Sequence, residues 1–397
     1  MTTPTPSPSW HGADPNLPDF RDRLHERYHH LRDVAPVNLT PGGYWRLSRH
    51  ADVETLLKRT KVGVRTTDGK LTSTDESKLP RLFMLEEDPP NHTRLRRLVA
   101  RYFTPKAMRA LHERVIAITN SLLDGMGSQE VDLISALALP LPVAVICEIM
   151  GVAAEDRHRF GEWSGDMTYL LMGDNASADQ QRRANAGVMH MSGYIMRAIE
   201  QRRRSPSDDL ISVLVGAERD GEQLSHAELL WQCLGLVLAG FETTTGLIGN
   251  GVRQLLLHRE QVERLRADPS LIDTAVEECL RYDPPVVATG RVLHEPAEFG
   301  GYRLPTNSKV IALLAAANRD PAVFEDPDRF DIGRDPNPHL GFGGGPHLCL
   351  GAHLARLEAR VAIASLFERR PNLVLRSERT SWTNSLFRIP SSLVVGT

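Results

Sequence analysis

Cysteine is scarce: four residues in 397, at Cys147, Cys233, Cys279 and Cys349. They are scattered, three of them within apolar helical patterns, so they build no disulfide framework and suit a reducing cytoplasm. No long hydrophobic run is present. The longest uncharged apolar stretch, 229–241, is too short to span a bilayer and is interrupted by Gln232. Neither sign of charge dominates. The net charge of −3 gives no general attraction for nucleic acid or for a membrane surface. There is no internal repeat and, past the first dozen residues, no linker. Residues 1–9 are rich in Pro, Thr and Ser and lack the charged and apolar regions of a signal peptide. Residues 1–14 are therefore expected to be a disordered leader and 15–397 a single catalytic domain. With 41% hydrophobic residues, the chain has ample material for a large core.

What the sequence does contain is one dense loop, Phe342-Gly343-Gly344-Gly345-Pro346-His347-Leu348-Cys349-Leu350-Gly351. Three glycines allow backbone conformations closed to other residues and a close approach to a flat ligand. Pro346 stiffens the turn. Behind it, 352–370 reads as a helix, which puts Cys349 near a helix N-terminus, where backbone N–H groups favour a thiolate. Such a thiolate can be the axial ligand of a haem iron. The alternative is a glycine-rich loop ending in a buried, inert cysteine.

The pattern Phe342-x-x-Gly345-x-x-x-Cys349-x-Gly351 resembles the haem-binding signature of the cytochrome P-450 superfamily, the haem-thiolate monooxygenases. The resemblance implies haem b with Cys349 as its only protein ligand, and cofactor contacts from Phe342, Gly343 and Gly351. It also implies a mainly helical fold with small β-sheets and a long central helix over the haem.

Along the chain, 19–32 reads as a polar helix, 43–48 as a short strand and 52–58 as helix. Residues 61–88 form a long loop that in the family borders the substrate pocket, with Leu82 and Phe83 as candidate contacts. After Asp88-Pro89-Pro90, His92 and Arg96 stand four apart on one helical face. Two cations there repel unless an anion sits against them, and a solvated basic face is the other reading. The motif resembles the family's propionate-binding helix. Helices follow over 107–126, 137–150, 154–172 and 176–204.

Ser225-His226-Ala227-Glu228 is a capping box that starts a helix running to about residue 258. At its middle lie Ala239-Gly240-Phe241-Glu242-Thr243-Thr244. Glycine and a polar acid–alcohol pair are unfavourable inside an apolar helix, and function is expected where such a rule breaks. Thr243 is placed to bond back to the carbonyl of Ala239, and Gly240 is expected to give room for a planar cofactor. Ala-Gly-x-Glu-Thr resembles the family's oxygen-activating motif, which makes Glu242 and Thr243 the catalytic candidates.

A helix entered at Pro269 and closed by Pro284-Pro285 carries Glu278 and Arg281, three apart on one face. Glu-x-x-Arg resembles the family's buried structural pair, whose third partner is expected to be Arg329. Beyond it, the resemblance places Arg291 and His347 against the propionates. Residues 299–304 and 309–314 alternate like strands. Val286, Val287, Ala288, Leu236, Ala239, Leu386 and Phe387 suggest an apolar pocket for a polyketide, terpenoid, steroid or fatty acid.

The implied function is insertion of one oxygen atom from dioxygen into such a substrate. Electrons would come from a ferredoxin-type partner, since the chain carries no flavin or iron–sulfur motif, and the protein is expected to be a monomer. Arg94, Arg97, Arg101 and Arg356 are candidates for docking that partner. Two rivals remain, a peroxide-driven peroxygenase and a non-catalytic haem sensor or carrier. The Glu242–Thr243 pair speaks against both, because neither needs imported protons.

Overall fold

The computed structural model describes residues 7–70, 83–127, 130–170, 176–219, 224–383 and 387–396. In chain order its helices are α1 (Leu24–Val34), α2 (His50–Lys58), α3 (Asn91–Ala100), α4 (Pro105–Gly125), α5 (Pro140–Met150), α6 (Arg157–Met167), α7 (Ala178–Arg204), α8 (Leu210–Arg219), α9 (His226–Leu257), α10 (Arg259–Ala267), α11 (Ile272–Tyr282), α12 (Leu314–Ala317) and α13 (Ala352–Arg369). The strands are β1 (Val37–Leu39), β2 (Trp45–Leu47), β3 (Val62–Gly63), β4 (Val131–Asp132), β5 (Thr289–Leu293), β6 (Ala297–Phe299), β7 (Tyr302–Leu304), β8 (Lys309–Ala312), β9 (Val374–Leu375) and β10 (Val394–Gly396). The fold is mainly helical with small sheets, as expected. Leu82 and Leu386 lie outside the described residues. The described residues fall into two compact units, one within 1–72 and 258–349, the other within 73–257 and 350–397.

The first unit is built on a five-stranded sheet in the order β1-β2-β8-β5-β3. β2 runs parallel to β8, with Trp45 opposite Val310, and β5 is antiparallel to β8. Trp45, Leu47, Leu56, Leu57, Val310 and Ala312 form its core. Part of the segment expected to be a disordered leader, from Ser9 to Ala13, is bonded to the sheet. Arg46, buried on β2, donates to the carbonyls of Ala13 at 2.8 Å and Trp10 at 2.9 Å, and Ser9 N–H bonds to Leu39. A buried cation that takes backbone carbonyls in place of water fixes the chain from about residue 9 onward.

The second unit holds α3 to α9, α13 and the small sheet β4-β10-β9. α9 begins at the capping box read from sequence. Glu228 N–H donates to Ser225 Oγ at 3.2 Å, and Ser225 N–H donates to the Glu228 carboxylate at 2.7 Å. Of its 32 residues 20 are buried, and it packs on α5, α7 and α13. Where one helix was expected over 137–150, a π-helical turn (Ile134–Ala138) precedes α5, because Pro140 restarts the hydrogen-bond ladder. α8 and α10 were not anticipated. α10 follows α9 after His258 alone, so apolar periodicity shows no gap between them.

Glu358 on α13 is 1% exposed and has no hydrogen-bond partner among the described residues. Burial alone pushes its pKa well above 4.5, so the native protein holds it neutral. Below the unfolded-state value, both states are protonated and the group is silent. As pH rises past it, the unfolded chain ionises while the folded one does not, so stability falls with pH until the raised native pKa is reached. Glu358→Met should therefore stabilise the protein by about 1–3 kcal/mol at pH 8. Urea unfolding should show a smaller gain at pH 5. An equal gain at both pH values would contradict a buried neutral acid.

Candidate functional site

The Cys349 loop is shaped by backbone bonds. Gly343 N–H bonds to Leu340 at 2.8 Å, Leu348 N–H to Gly345 at 3.0 Å, and Cys349 N–H to Phe342 at 3.0 Å. Gly343 and Gly345 have φ of 72° and 66°, which favour glycine. The glycines serve different ends than expected. A Cβ on Gly345 would lie 2.1 Å from the Leu57 carbonyl oxygen, and one on Gly344 would press on the side chain of Lys58. These two seat the loop on the end of α2. Gly343 is uncrowded, its nearest neighbour being 3.9 Å away, and nothing lies within 4 Å of an added Cβ on Gly351.

Cys349 is exposed, three residues before α13, whose N-cap is Gly351. Cys147, Cys233 and Cys279 are buried, and burial pushes the thiols of Cys147 and Cys233 up to about 12. Cys279 is pushed higher still, chiefly by burial. Of the four, only Cys349 is both accessible and placed near a helix start.

Behind the loop lies the pair expected from Glu-x-x-Arg. Glu278 and Arg281 are fully buried, joined by two bonds of 2.7 and 2.8 Å. Arg281 also donates to the carbonyls of Asn318, Pro327 and Arg329. The third cation is Arg334, not Arg329. Arg334 approaches Glu278 at 3.3 Å, and Asn337 and the Asp331 N–H complete the carboxylate's bonds. Arg329 lends only its backbone carbonyl, and its guanidinium is exposed on Asp331. Sequence gave no sign of Arg334, since it shares neither helix face nor motif with the pair. Asn318 joins the network to the loop through its Oδ1, which accepts from Leu340 N–H at 2.7 Å.

On α9 the Thr243 hydroxyl donates to the Ala239 carbonyl at 3.2 Å, as expected. Thr244 and Thr245 bond back in the same way to Gly240 and Phe241. Ala239 is exposed in the middle of this buried helix, and Glu242 and Thr243 are half-buried. Gly240 does not open toward a cofactor. Its missing side chain would meet Ile146 on α5 at 3.3 Å, so its role is helix packing, and the open turn is at Ala239.

His92 is buried and Arg96 half-buried on one face of α3. Arg97 and Arg101 are exposed, but Arg94 is paired with Glu228, which removes it from the free docking charges. Arg356 is half-buried. Arg291, buried on β5, donates to Thr289 and to the Gly290 carbonyl. His347 is half-buried in the turn Gly345–His347. Val286, Val287 and Ala288 are half-buried against the first unit's core clusters. Leu236 and Phe387 keep little exposed surface, and the Phe83 ring lies on Gly235. The accessible Cys349, on a loop shaped by its own backbone hydrogen bonds, fits the thiolate ligand of a haem iron. In the second unit, α9 keeps one open turn at Ala239.

A family model described as Cytochrome P450 matches residues 169–370. The chain is 43% identical over 364 residues to vitamin D(3) 25-hydroxylase of Pseudonocardia autotrophica, covering 90% of this chain and 88% of that protein. It is 44% identical over 303 residues to 6-deoxyerythronolide B hydroxylase of Saccharopolyspora erythraea, 75% and 74% of the two chains. Among solved structures, P450BioI in complex with an acyl carrier protein ligated to hexadec-9Z-enoic acid matches with a TM-score of 0.87 at 36% identity, over 96% of this chain and 99% of that one.

The network makes opposite demands on two arginines nine tenths and one third buried. Arg334→Ala strips a charged partner from buried Glu278 and should cost about 3 kcal/mol. Arg329→Ala keeps the carbonyl that Arg281 uses and should cost under about 0.5 kcal/mol. Chemical denaturation of both variants checks the order, and the reverse order would restore Arg329 as the third partner.

Proposed function

The chain belongs to the cytochrome P450 family and is a monooxygenase of that family; we propose that it hydroxylates an apolar small molecule of polyketide, terpenoid, steroid or fatty-acid type, with electrons from a ferredoxin-type partner. Relatives named for vitamin D(3), for 6-deoxyerythronolide B and, in a solved complex, for corticosterone support that range. The monooxygenase class sets aside the non-catalytic sensor. No helix among the described residues is long and apolar enough to cross a membrane. Coverage of nine tenths of the chain by one relative supports reading 15–397 as one catalytic domain.

Haem b, when bound, supplies activation of dioxygen at an iron held by a thiolate, which donates electron density toward O–O cleavage. Cys349 would present that sulfur from a loop shaped by its own backbone hydrogen bonds. His92, Arg96, Arg291 and His347 offer the cationic or N–H groups that two propionates require. The Phe342, Gly343 and Gly351 backbone leaves room for close approach. Ala239 keeps one turn of α9 open. There the Thr243 hydroxyl, whose proton goes to the Ala239 carbonyl, can accept a further hydrogen bond, and Glu242 beside it can carry protons inward. By the family resemblance, Leu82, Phe83, Leu236, Val286, Val287, Ala288, Leu386 and Phe387 are the candidates for the apolar surface.

The observation that carries this reading is the acid–alcohol pair at the open turn of an otherwise buried helix. A spectral titration over macrolides, steroids and fatty acids, free and carrier-bound, supplies the substrate. Thr243→Ala should then lower product formed per NAD(P)H by about tenfold, with peroxide released in its place, while Glu242→Gln should slow NAD(P)H use itself by about 100-fold. Undiminished coupling in Thr243→Ala would mean that another group, or the substrate itself, organises the protons, whereas turnover with peroxide but not with a reductase would favour the peroxygenase.

A further inference from the structure

α11 carries two adjacent glutamates that turn to different tasks. Glu278 meets Arg281, and Glu277, one residue earlier, meets His339. The Glu277 carboxylate lies 2.9 Å from His339 Nε2, and the His339 side chain is 4% exposed. The other ring nitrogen is engaged as well. Gly341 N–H donates to His339 Nδ1 at 3.1 Å. A ring nitrogen that accepts cannot carry the proton, so the proton sits on Nε2 and goes to the carboxylate. Glu277 thereby holds the ring in the one tautomer that can receive the Gly341 N–H.

Gly341 stands at the entry to the loop that carries Cys349. After it come Phe342 and three glycines, a run with little stiffness of its own. The Phe342 carbonyl accepts from Cys349 N–H at 3.0 Å and closes the loop. Whatever fixes the peptide between Gly341 and Phe342 thus bears on Cys349. Two consecutive N–H groups fix the approach to that peptide, Leu340 on Asn318 Oδ1 at 2.7 Å and Gly341 on His339. A side chain at Gly341 would crowd the arrangement, since an added Cβ would lie 3.1 Å from the Leu280 carbonyl and 3.2 Å from His339 Nδ1. The Phe342 ring lies beside the imidazole, with centroids 6.2 Å apart.

We propose that His339 is a positioning residue for Cys349, acting through the backbone of Gly341 and Phe342, with Glu277 as the group that fixes its tautomer. The proposal rests on the reading of Cys349 as the thiolate ligand of a haem iron. It assigns different weights to the two ring nitrogens, which a histidine kept for packing would not have.

The test separates the two nitrogens. In His339→Asn the side-chain oxygen stands near the place of Nδ1 and can accept the N–H two residues on, as asparagine does in turns. His339→Gln places its polar group near Nε2 instead, and His339→Leu offers neither. All are prepared as the haem-loaded full chain. Three quantities are read: the share of the reduced carbon-monoxide complex that keeps the red-shifted band of a thiolate ligand, amide hydrogen exchange over 342–351, and the urea midpoint. His339→Leu should raise loop exchange, and the ratio of thiolate-free to thiolate-bound complex, by about tenfold, the scale of one lost hydrogen bond. His339→Gln should behave alike, whereas His339→Asn should stay within about twofold of wild type. Glu277→Leu should raise both quantities by about fivefold, but by less than about twofold once His339 is replaced by Asn, which needs no tautomer set for it. Rescue by Gln and not by Asn would move the role to the Glu277 bond and overturn the proposal. Band and exchange changes that merely follow the urea midpoint in every variant would make His339 packing alone and equally overturn it. A wild-type chain without the red-shifted band would bring down the reading of Cys349, and loop exchange would still decide whether His339 holds the loop.

Discussion

Glu278 and Arg281 are both wholly removed from water, and taking two charges into a protein costs several kcal/mol per ion unless every bonding position is filled. Here every position on the guanidinium is filled. Its five N–H groups go to the two Glu278 oxygens and to the carbonyls of Asn318, Pro327 and Arg329. Lysine, with three donors on a single nitrogen, could not hold this arrangement. The return lies less in stability than in order. The chain from Asn318 to Gly344 has no regular secondary structure, and one side chain collects three of its carbonyls. Through Asn318 that order reaches Leu340, and from Leu340 it reaches Gly343 and the turn that presents Cys349.

α9 shows the complementary problem, a helix whose burial argues against the polar residues it carries. Three consecutive threonines solve it locally, each returning its hydroxyl to a carbonyl one turn back. That contact satisfies the hydroxyl without a tertiary partner, and it weakens the helix's own ladder. Thr244 and Thr245 are buried and their bonds are purely structural. Thr243 differs only in its place beside the open turn, so the same bond there leaves a hydroxyl able to exchange partners.

Legibility in the sequence followed the range of the interaction. Contacts confined to one turn of chain were readable: the Ser225–Glu228 box, the Thr243 back-bond, and Glu278 facing Arg281. Contacts that depend on where irregular chain returns were not. Arg334 occupies the position expected of Arg329 because the Arg329 backbone, rather than its side chain, turns toward Arg281. Arg94 looks free in a run of cations but meets Glu228, more than a hundred residues away in sequence. Phe83, grouped with the apolar pocket residues, is spoken for by a glycine on α9. The boundary between α9 and α10 was hidden for a different reason, since a one-residue break does not disturb apolar periodicity.

The glycines sharpen this point, because a missing side chain tells nothing about what fills the space. Gly345 makes room for a carbonyl of α2, Gly240 for Ile146, Gly249 for Ile134 and Gly235 for Phe83. All four let protein approach protein. In the motifs read from sequence, glycine was credited with admitting a cofactor, yet among those positions only Gly343 and Gly351 are uncrowded, and on α9 the exposed residue is the alanine beside Gly240. Close packing explains the pattern. A notch in a dense interior is filled by the nearest side chain unless rigid surroundings keep it clear. On α9 the Phe83 ring fills the notch at Gly235, while Ala239, one turn on, is exposed. What a glycine makes room for is thus a property of the packing around it, and the sequence motif alone does not say whether protein or ligand takes the space.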